Sequence, residues 1–310
     1  MRNNRATNGV DTDMKILVTG ASGLIGSALV PSLGAHGHSV VRAVRRPARD
    51  GEVQWNPADG ILDPAHLAGV DAVVHLAGAG IGDKRWSDSY KREILESRTK
   101  STDLLARSIA AAENGPKVFL SGSAIGIYGP RGDEELPENA SHGDGFLADV
   151  CRQWEEASGP AEQAGARVVH LRTGIVLSPK GGALKKQLPL FRLGLGGRFG
   201  NGRQWQSWIS IDDEVGAITH LLGSSLSGAV NLVAPQPVTN AEFTRVLARV
   251  LSRPALFPVP SFGPRLLLGG ELADALLFTG QRVVPQALVS DGYRFAHPDL
   301  ETALRALLKK

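Results

Sequence analysis

The sequence predicts an α/β protein, a doubly wound parallel sheet of the Rossmann type with a second, smaller and mostly helical domain. Short β-branched runs alternate with longer stretches of helical period, the pattern of parallel strands joined by crossover helices. The first run, KILVT at 15–19, leads through the glycine-spaced turn TGASGLIG straight into an apolar helical segment. After about residue 178 the rhythm changes, and no further strand–helix alternation of that length follows.

Taken in order, strands are expected at 15–19, 39–44 (SVVRAV), 71–76 (DAVVHL), 117–121 (KVFLS) and 166–171 (ARVVHL). The run GAVNLVA at 228–234 is expected to return to the sheet. Helices fit between them at 24–36, 88–112 and 146–164; the second places Ile94, Leu104, Leu105 and Ile109 on its apolar side and begins after Ser87, a suitable N-cap. The stretch from Ser178 to Trp208 is rich in Gly, basic and aromatic residues and reads as a surface loop or lid. Residues 236–310 read as helices punctuated by Pro254, Pro258, Pro260 and Pro264.

The domain division is therefore 14–178, rejoined by 210–235, for the sheet domain, and 179–209 with 236–310 for the smaller one. Residues 1–13 lack periodicity and precede Met14, which suggests a flexible leader or a start-site artefact, with translation from Met1 or Met14 both open.

Composition narrows the partners. The net charge of +3 comes from 34 basic and 31 acidic residues scattered along the chain, so the clustered cations of a phosphate-tracking surface are lacking. Binding of RNA or DNA through the Gly-Arg-Trp segment is the weakest of three readings. One cysteine, Cys151, excludes an intramolecular disulfide and fits a reducing compartment. No apolar run reaches the roughly 18 residues of a membrane helix, and no signal-peptide pattern is present, so a cytoplasmic protein is expected. The histidines lack metal-ligand spacing, and no metal site is expected.

Three glycines spaced by three, Gly20, Gly23 and Gly26, sit where a strand meets a helix. In a dinucleotide-binding turn such glycines serve a tight bend, close approach of backbone to pyrophosphate and packing of helix on strand. The bland alternative is a tight turn and nothing more. The pyrophosphate would rest on the amides near Ser22 to Ile25, where the helix dipole favours negative charge. The end of the second strand, where a carboxylate would read the ribose of NAD, carries Arg45 and Arg46 instead. Two guanidinium groups suit a 2′-phosphate, so NADP(H) is expected over NAD(H), unless both arginines are ordinary surface charge.

TGASGLIG, DAVVHLAGA and SGSAIGIYG together resemble the extended short-chain dehydrogenase/reductase superfamily. KRWSDSYKREILESRTKST, FLADVCRQWE, the Gly-rich stretch from Leu171 to Asp213 and VPQALVSDGYRF narrow the resemblance to its atypical branch, epimerase-family proteins with a carboxy-terminal domain of unknown function. The likeness runs from about Met14 to the end. It implies a bound nicotinamide cofactor, with Gly20, Ser22, Gly23, Leu24 and Ile25 around the pyrophosphate and Leu76, Ala77 and Gly78 beside the adenosine ribose. Many extended members carry an asparagine four residues before a threonine in the central helix; here Arg98 precedes Thr102 by four, a cofactor or substrate contact or else a surface ion pair. Arg172 to Val176 match the segment that flanks the nicotinamide.

The resemblance breaks at catalysis. Extended members pair a tyrosine with a lysine four residues on, but Tyr90, Tyr128 and Tyr293 are followed at that spacing by Ile94, Gly132 and His297. Alignment on Glu155 puts Cys151 at the lysine and Leu147 at the tyrosine, and neither can replace that chemistry. Ser123 and Tyr128 remain as catalytic candidates, Tyr128 with a structural role as its alternative. Lys84, Arg85 and Trp86, and Arg203, Trp205 and Trp208, offer a cationic and aromatic floor for an anionic or sugar-like substrate, with Trp86 and Trp208 alternatively anchoring the two domains. Two readings stay open: an NADP(H)-dependent oxidoreductase or nucleoside-diphosphate-sugar epimerase-like enzyme acting on a small molecule, and a non-catalytic NADP(H)-binding sensor or regulator. A homo-oligomer is compatible with either.

Overall fold

A computed structural model describes residues 13–309 of the chain. The leader reading and the choice between Met1 and Met14 therefore fall, apart from Asp13, outside the described residues.

Seven parallel strands form the sheet: β1 (Lys15–Thr19), β2 (Ser39–Val44), β3 (Glu52–Gln54), β4 (Ala72–His75), β5 (Val118–Ala124), β6 (Arg167–Thr173) and β7 (Gly228–Leu232). Their spatial order is β7-β6-β5-β4-β1-β2-β3. The chain starts in the middle, winds out to β3, returns past β1 to β4 and continues to β7. Pairing of β1 with β4 aligns Thr19 with His75, so the two strands end together while their connections leave in opposite directions. Such a reversal opens a crevice at the carboxyl ends of the strands.

The strands exist because both faces are covered. Ile16, Leu17 and Val18 are fully buried in succession, and period-two alternation sends them to opposite sides. Ile16 and Val18 pack with Leu29 and Leu33 of α1 (Leu24–Ala35) and Ile218 and Leu221 of α6 (Ile211–Gly223), while Leu17 packs with Leu105 and Ile109 of α2 (Asp88–Ala111). Helix α2 starts as expected at Ser87, whose Oγ accepts the Tyr90 amide at 3.2 Å. Strand β3 was not anticipated; three residues at a sheet edge are too few to show alternation.

Two expectations need correction. The single helix expected over 146–164 is two, α3 (Phe146–Glu156) and α4 (Gly159–Gln163), because Gly159 and Pro160 restart the helix and Pro160 cannot donate to the preceding turn. The segment expected as a loop or lid contains α5 (Gly182–Arg192). Its Leu184, Leu188 and Phe191 fall on one helical face and are buried, a pattern obscured by the flanking glycines and by Pro189.

Helix α5, α7 (Asn240–Leu251) and the helix Leu300–Leu308 share a third core, in which Leu184, Leu188 and Phe191 meet Phe243, Leu247, Leu300 and Leu304 around Trp208. Trp208 is fully buried, and its Nε1 donates to the Gln236 carbonyl at 3.0 Å. Of its two expected roles, the structure gives it packing.

Candidate nucleotide cleft

A cleft of about 1090 Å³ opens over the carboxyl ends of β1, β2 and β4. Gly20, Ser22, Gly23, Arg45, Arg46, Leu76, Ala77, Gly78 and Lys84, all expected at the site, line it together. Gly20 has φ +66°, and a Cβ there would lie 2.7 Å from the Leu76 carbonyl carbon, so only glycine allows the turn to pass over the end of β4. A Cβ on Gly26 would lie 2.3 Å from the Gly20 oxygen, which fixes how closely α1 approaches the turn. The Gly23 amide is used by the Gly20 carbonyl at 2.9 Å. The amides free to meet an anion are therefore those that open α1, and no acidic residue stands in its first turn.

The inner wall is a chain of hydrogen bonds. The Leu76 amide donates to Thr19 Oγ1 at 3.2 Å, Thr19 Oγ1 meets His75 Nδ1 at 2.6 Å, His75 Nε2 meets Ser101 Oγ at 3.0 Å, and Ser101 donates to the Ser97 carbonyl at 2.7 Å. With these directions His75 is neutral and carries its proton on Nε2. Burial pulls its pKa down to about 3, and the nearby charge of Arg98 adds to the effect. The chain ties β1, β4 and α2 together beneath the cleft, and the Ala79 amide adds a further bond to Ser97 Oγ at 3.0 Å.

At the end of β2 the arginines separate into two kinds. Arg46 is clamped by Glu52, with Nη1 and Nη2 each 2.7 Å from a carboxylate oxygen, and Arg42 approaches the same carboxylate at 3.2 Å. The hydrogen bond from Arg46, and then those from the Arg49 amide and the surrounding charge, hold Glu52 below its ordinary pKa. Arg45 has no ion-pair partner among the described residues. Glu52, Trp55, Asn56 and Pro57 line this end and escaped the sequence reading, because the edge strand that presents them is so short.

Other expected residues lie elsewhere. Leu24 turns its side chain against Gly181 and Gly182, and Ile25 packs on the sheet core, so each can offer the cleft only its amide. Arg85 donates from Nε to the Leu267 carbonyl at 2.9 Å and from Nη2 to the Leu266 carbonyl, tying its loop to the helix Phe262–Leu268. Trp86 stands edge-on to Phe146 with its Nε1 on the Ile81 carbonyl, Trp205 donates to Asp133 under Arg282, and Arg203 is exposed on its loop. Val176 belongs to a short strand paired with Ile209.

Ser123, Tyr128 and Arg172 form a second polar cluster that is not part of the cleft lining. Glu155 receives Arg172 Nε at 2.8 Å, Arg172 Nη2 at 2.9 Å and Ser123 Oγ at 2.7 Å. Tyr128, fully buried, donates to Asn231 Oδ1 at 2.7 Å and accepts Arg172 Nη1 at 2.9 Å. Burial opposes the charge on Glu155, but the bonds and charge of Arg172 outweigh it, and its pKa lies below the ordinary value. Burial likewise pushes the Tyr128 phenol up, against the pull of Arg172. The expected catalytic hydroxyls and the expected nicotinamide-flanking arginine thus spend their hydrogen bonds within this cluster, Ser123 and Arg172 on Glu155 and Tyr128 on Asn231 and Arg172. Sequence spacing could not reveal this, since Glu155, Arg172 and Asn231 come from three different elements.

Between cleft and cluster lies Arg98. A Cβ on Gly78 would be 3.3 Å from its Cζ, and the guanidinium stacks 5.0 Å from the Trp154 ring centre. Cys151, at the position where the resemblance expects lysine, is buried, and burial pushes its thiol up to about 12.

These features define a nucleotide-binding α/β protein with the crevice of a doubly wound sheet. The chain belongs to the NAD dependent epimerase/dehydratase family, which matches residues 16–232, and residues 259–307 match the domain of unknown function DUF1731. It is 48% identical over 291 residues to "Epimerase family protein Mb2239" of Mycobacterium bovis, covering 93% of this chain and 96% of that one. A crystal structure of the human epimerase family protein SDR39U1 (isoform 2) with NADPH superposes with a TM-score of 0.88 at 36% identity, over 96% of this chain and 99% of that one. A structure titled nucleoside-diphosphate sugar epimerase, from Corynebacterium glutamicum, gives a TM-score of 0.79 at 37% identity over 96% of this chain and 59% of that one. Among the described residues no helix is long and apolar enough to cross a membrane, and no cluster of His, Cys, Asp and Glu could hold a metal ion.

Proposed function

We propose that this chain binds NADP(H) in the cleft and acts as an oxidoreductase on a small molecule. The observation that carries the reading is Arg45, a guanidinium without an ion-pair partner among the described residues, on the cleft lining at the end of β2, where the adenosine ribose of a dinucleotide on the Gly20 turn would lie. The human relative crystallised with NADPH supports the choice of cofactor. When bound, the cofactor supplies hydride chemistry. The α1 amides from Leu24 onward face the pyrophosphate, Gly20 allows backbone to approach it, Arg45 meets the 2′-phosphate, and the Thr19–His75–Ser101 chain holds the turn and β4 in register.

Ser123 and Tyr128 serve this reading as supports. Their hydroxyls bond Glu155, Asn231 and Arg172 within a buried cluster, which leaves Tyr128 no free donor for substrate. That same observation favours a second reading, cofactor binding without turnover. Titration of the protein with NADPH and NADH, followed by the NADPH signal across aldehydes, ketones, quinones and nucleotide sugars, separates the possibilities. NADPH binding at least about tenfold tighter than NADH binding is expected. Equal binding of the two would defeat the NADP(H) assignment, and tight NADPH binding without oxidation across the panel would favour the sensor.

A further inference from the structure

Arg98 is a half-buried charged side chain without a counter-ion among the described residues. Of its five N–H donors, one has an acceptor among the described residues: Nη1 donates to the Ile94 carbonyl of its own helix at 3.0 Å. No carboxylate lies within ion-pair distance among those residues. Partial burial lowers its pKa, yet a guanidinium does not lose its proton at neutral pH, so the charge is held partly desolvated, with no counter-ion among the described residues. A fold tolerates that cost where an anion completes the site.

A second group points the same way. Trp154, on α3, is only 8% exposed, and its Nε1–H has no hydrogen-bond acceptor among the described residues. Its ring is the surface on which the Arg98 guanidinium lies. Two glycines make room for the stack. Beside the guanidinium a Cβ on Gly78 would be 3.3 Å from Cζ, and beside the indole a Cβ on Gly122 would be 2.7 Å from Cζ2. A half-buried cation with donors to spare and a buried indole N–H without an acceptor among the described residues suit a ligand that accepts hydrogen bonds and carries negative charge.

Position decides which ligand. Ser97 and Ser101, on either side of Arg98 in α2, line the cleft, and Arg98 lies against Gly78 just after β4, on the side leading to β5. Arg45 stands at the opposite end, after β2. A dinucleotide with its 2′-phosphate at Arg45 and its pyrophosphate at the α1 amides would extend its reacting end toward Arg98. The α1 amides already provide for the pyrophosphate, so the anion left for Arg98 is one brought by the substrate.

We propose that Arg98, with the Trp154 indole N–H beside it, is the anion-binding site of the substrate half of the cleft, and that the substrate class is small carboxylate-bearing carbonyl compounds. This rests on the NADP(H) reading above. A guanidinium fork matches a carboxylate in shape and charge, and a neutral carbonyl or an alcohol leaves this half-buried charge uncompensated.

The test uses the full chain saturated with NADPH, with pyruvate and oxalate as probes, pyruvamide as the uncharged control and NADPH fluorescence as the readout. Pyruvate or oxalate is expected to bind saturably and pyruvamide not. Arg98→Gln is expected to weaken the carboxylate by about tenfold or more, with NADPH affinity within about twofold. Arg98→Lys is expected to keep part of the affinity, and Trp154→Phe, which keeps an aromatic face for the guanidinium but removes the N–H, to lose about three- to tenfold. Added guanidinium is expected to restore carboxylate binding to Arg98→Ala, which loss of a packing residue alone would not allow. If NADPH binds and neither carboxylate does, or if Arg98→Gln weakens NADPH itself by tenfold, the substrate-anion assignment is overturned. Failure of the unaltered chain to bind NADPH would instead overturn the cofactor reading beneath it.

Discussion

Arg172 and Glu155 meet through two parallel N–H···O bonds of 2.8 and 2.9 Å, with 5% and 10% of their side chains exposed. Removing one partner of such a pair strands the other charge in the interior. Arg172→Met is therefore expected to cost about 3–5 kcal/mol, and the double variant Arg172→Met/Glu155→Met to recover much of it. Urea denaturation measures both, and a loss below about 1 kcal/mol for the single variant would refute the pairing. Because the folded pKa of Glu155 lies below its ordinary value, the contribution is present in full above that value and is lost as pH falls through the lower, folded one.

Tyr128→Phe tests whether this cluster is structural. The variant removes the hydroxyl that bridges Asn231 and Arg172 and leaves Asn231 Oδ1 without that donor. A loss of about 1–3 kcal/mol in stability is expected, with NADPH affinity within about twofold. An unchanged denaturation midpoint combined with lost turnover would return Tyr128 to the chemistry.

The sheet was legible in the sequence because each central strand is buried on both faces, and a short run with β-branched residues such as Ile16, Leu17, Val18, ended by a glycine turn, suits such a strand. The glycine turn was legible for a similar reason: Gly20 and Gly26 answer local clashes within one turn. The partners of Ser123, Tyr128 and Arg172 were not, since contacts across 17 to 103 residues leave no mark in spacing. The place of the tryptophans was not legible, because a tryptophan beside an arginine looks alike whether it faces a ligand or, like Trp208, fills a core.

Glu214 gives stability the opposite pH dependence. It is fully buried, accepts a bond from Thr173 Oγ1 at 2.9 Å, and its Oε2 has no partner among the described residues. Burial pushes its pKa up to about 8 from an ordinary 4.5. The unfolded chain therefore loses this proton before the folded one does, and stability present in full below about 4.5 falls as pH rises toward 8. Glu214→Gln is expected to flatten that slope, seen as a smaller difference in midpoint between pH 5 and pH 8. An unaltered slope would place the titration in another group.

At the end of β2 the order of effects follows from which arginine is already engaged. A phosphate approaching Arg46 competes with a carboxylate bonded at 2.7 Å to both guanidinium arms, whereas Arg45 has no such competitor among the described residues. Arg45→Ala is expected to weaken NADPH about tenfold or more, the ~1.5–3 kcal/mol of a hydrogen bond to a charged group, and to leave NADH nearly unchanged. Arg46→Ala is expected to cost less, and Glu52→Gln, which loosens the clamp, to tighten NADPH while sparing NADH. Fluorescence titrations of the three variants with both nucleotides check the order. A loss equal for NADPH and NADH in Arg45→Ala would move this arginine from the 2′-phosphate to a part the two cofactors share. Added salt should narrow the difference between NADPH and NADH in the unaltered chain, because the phosphate contact is ionic and near the surface.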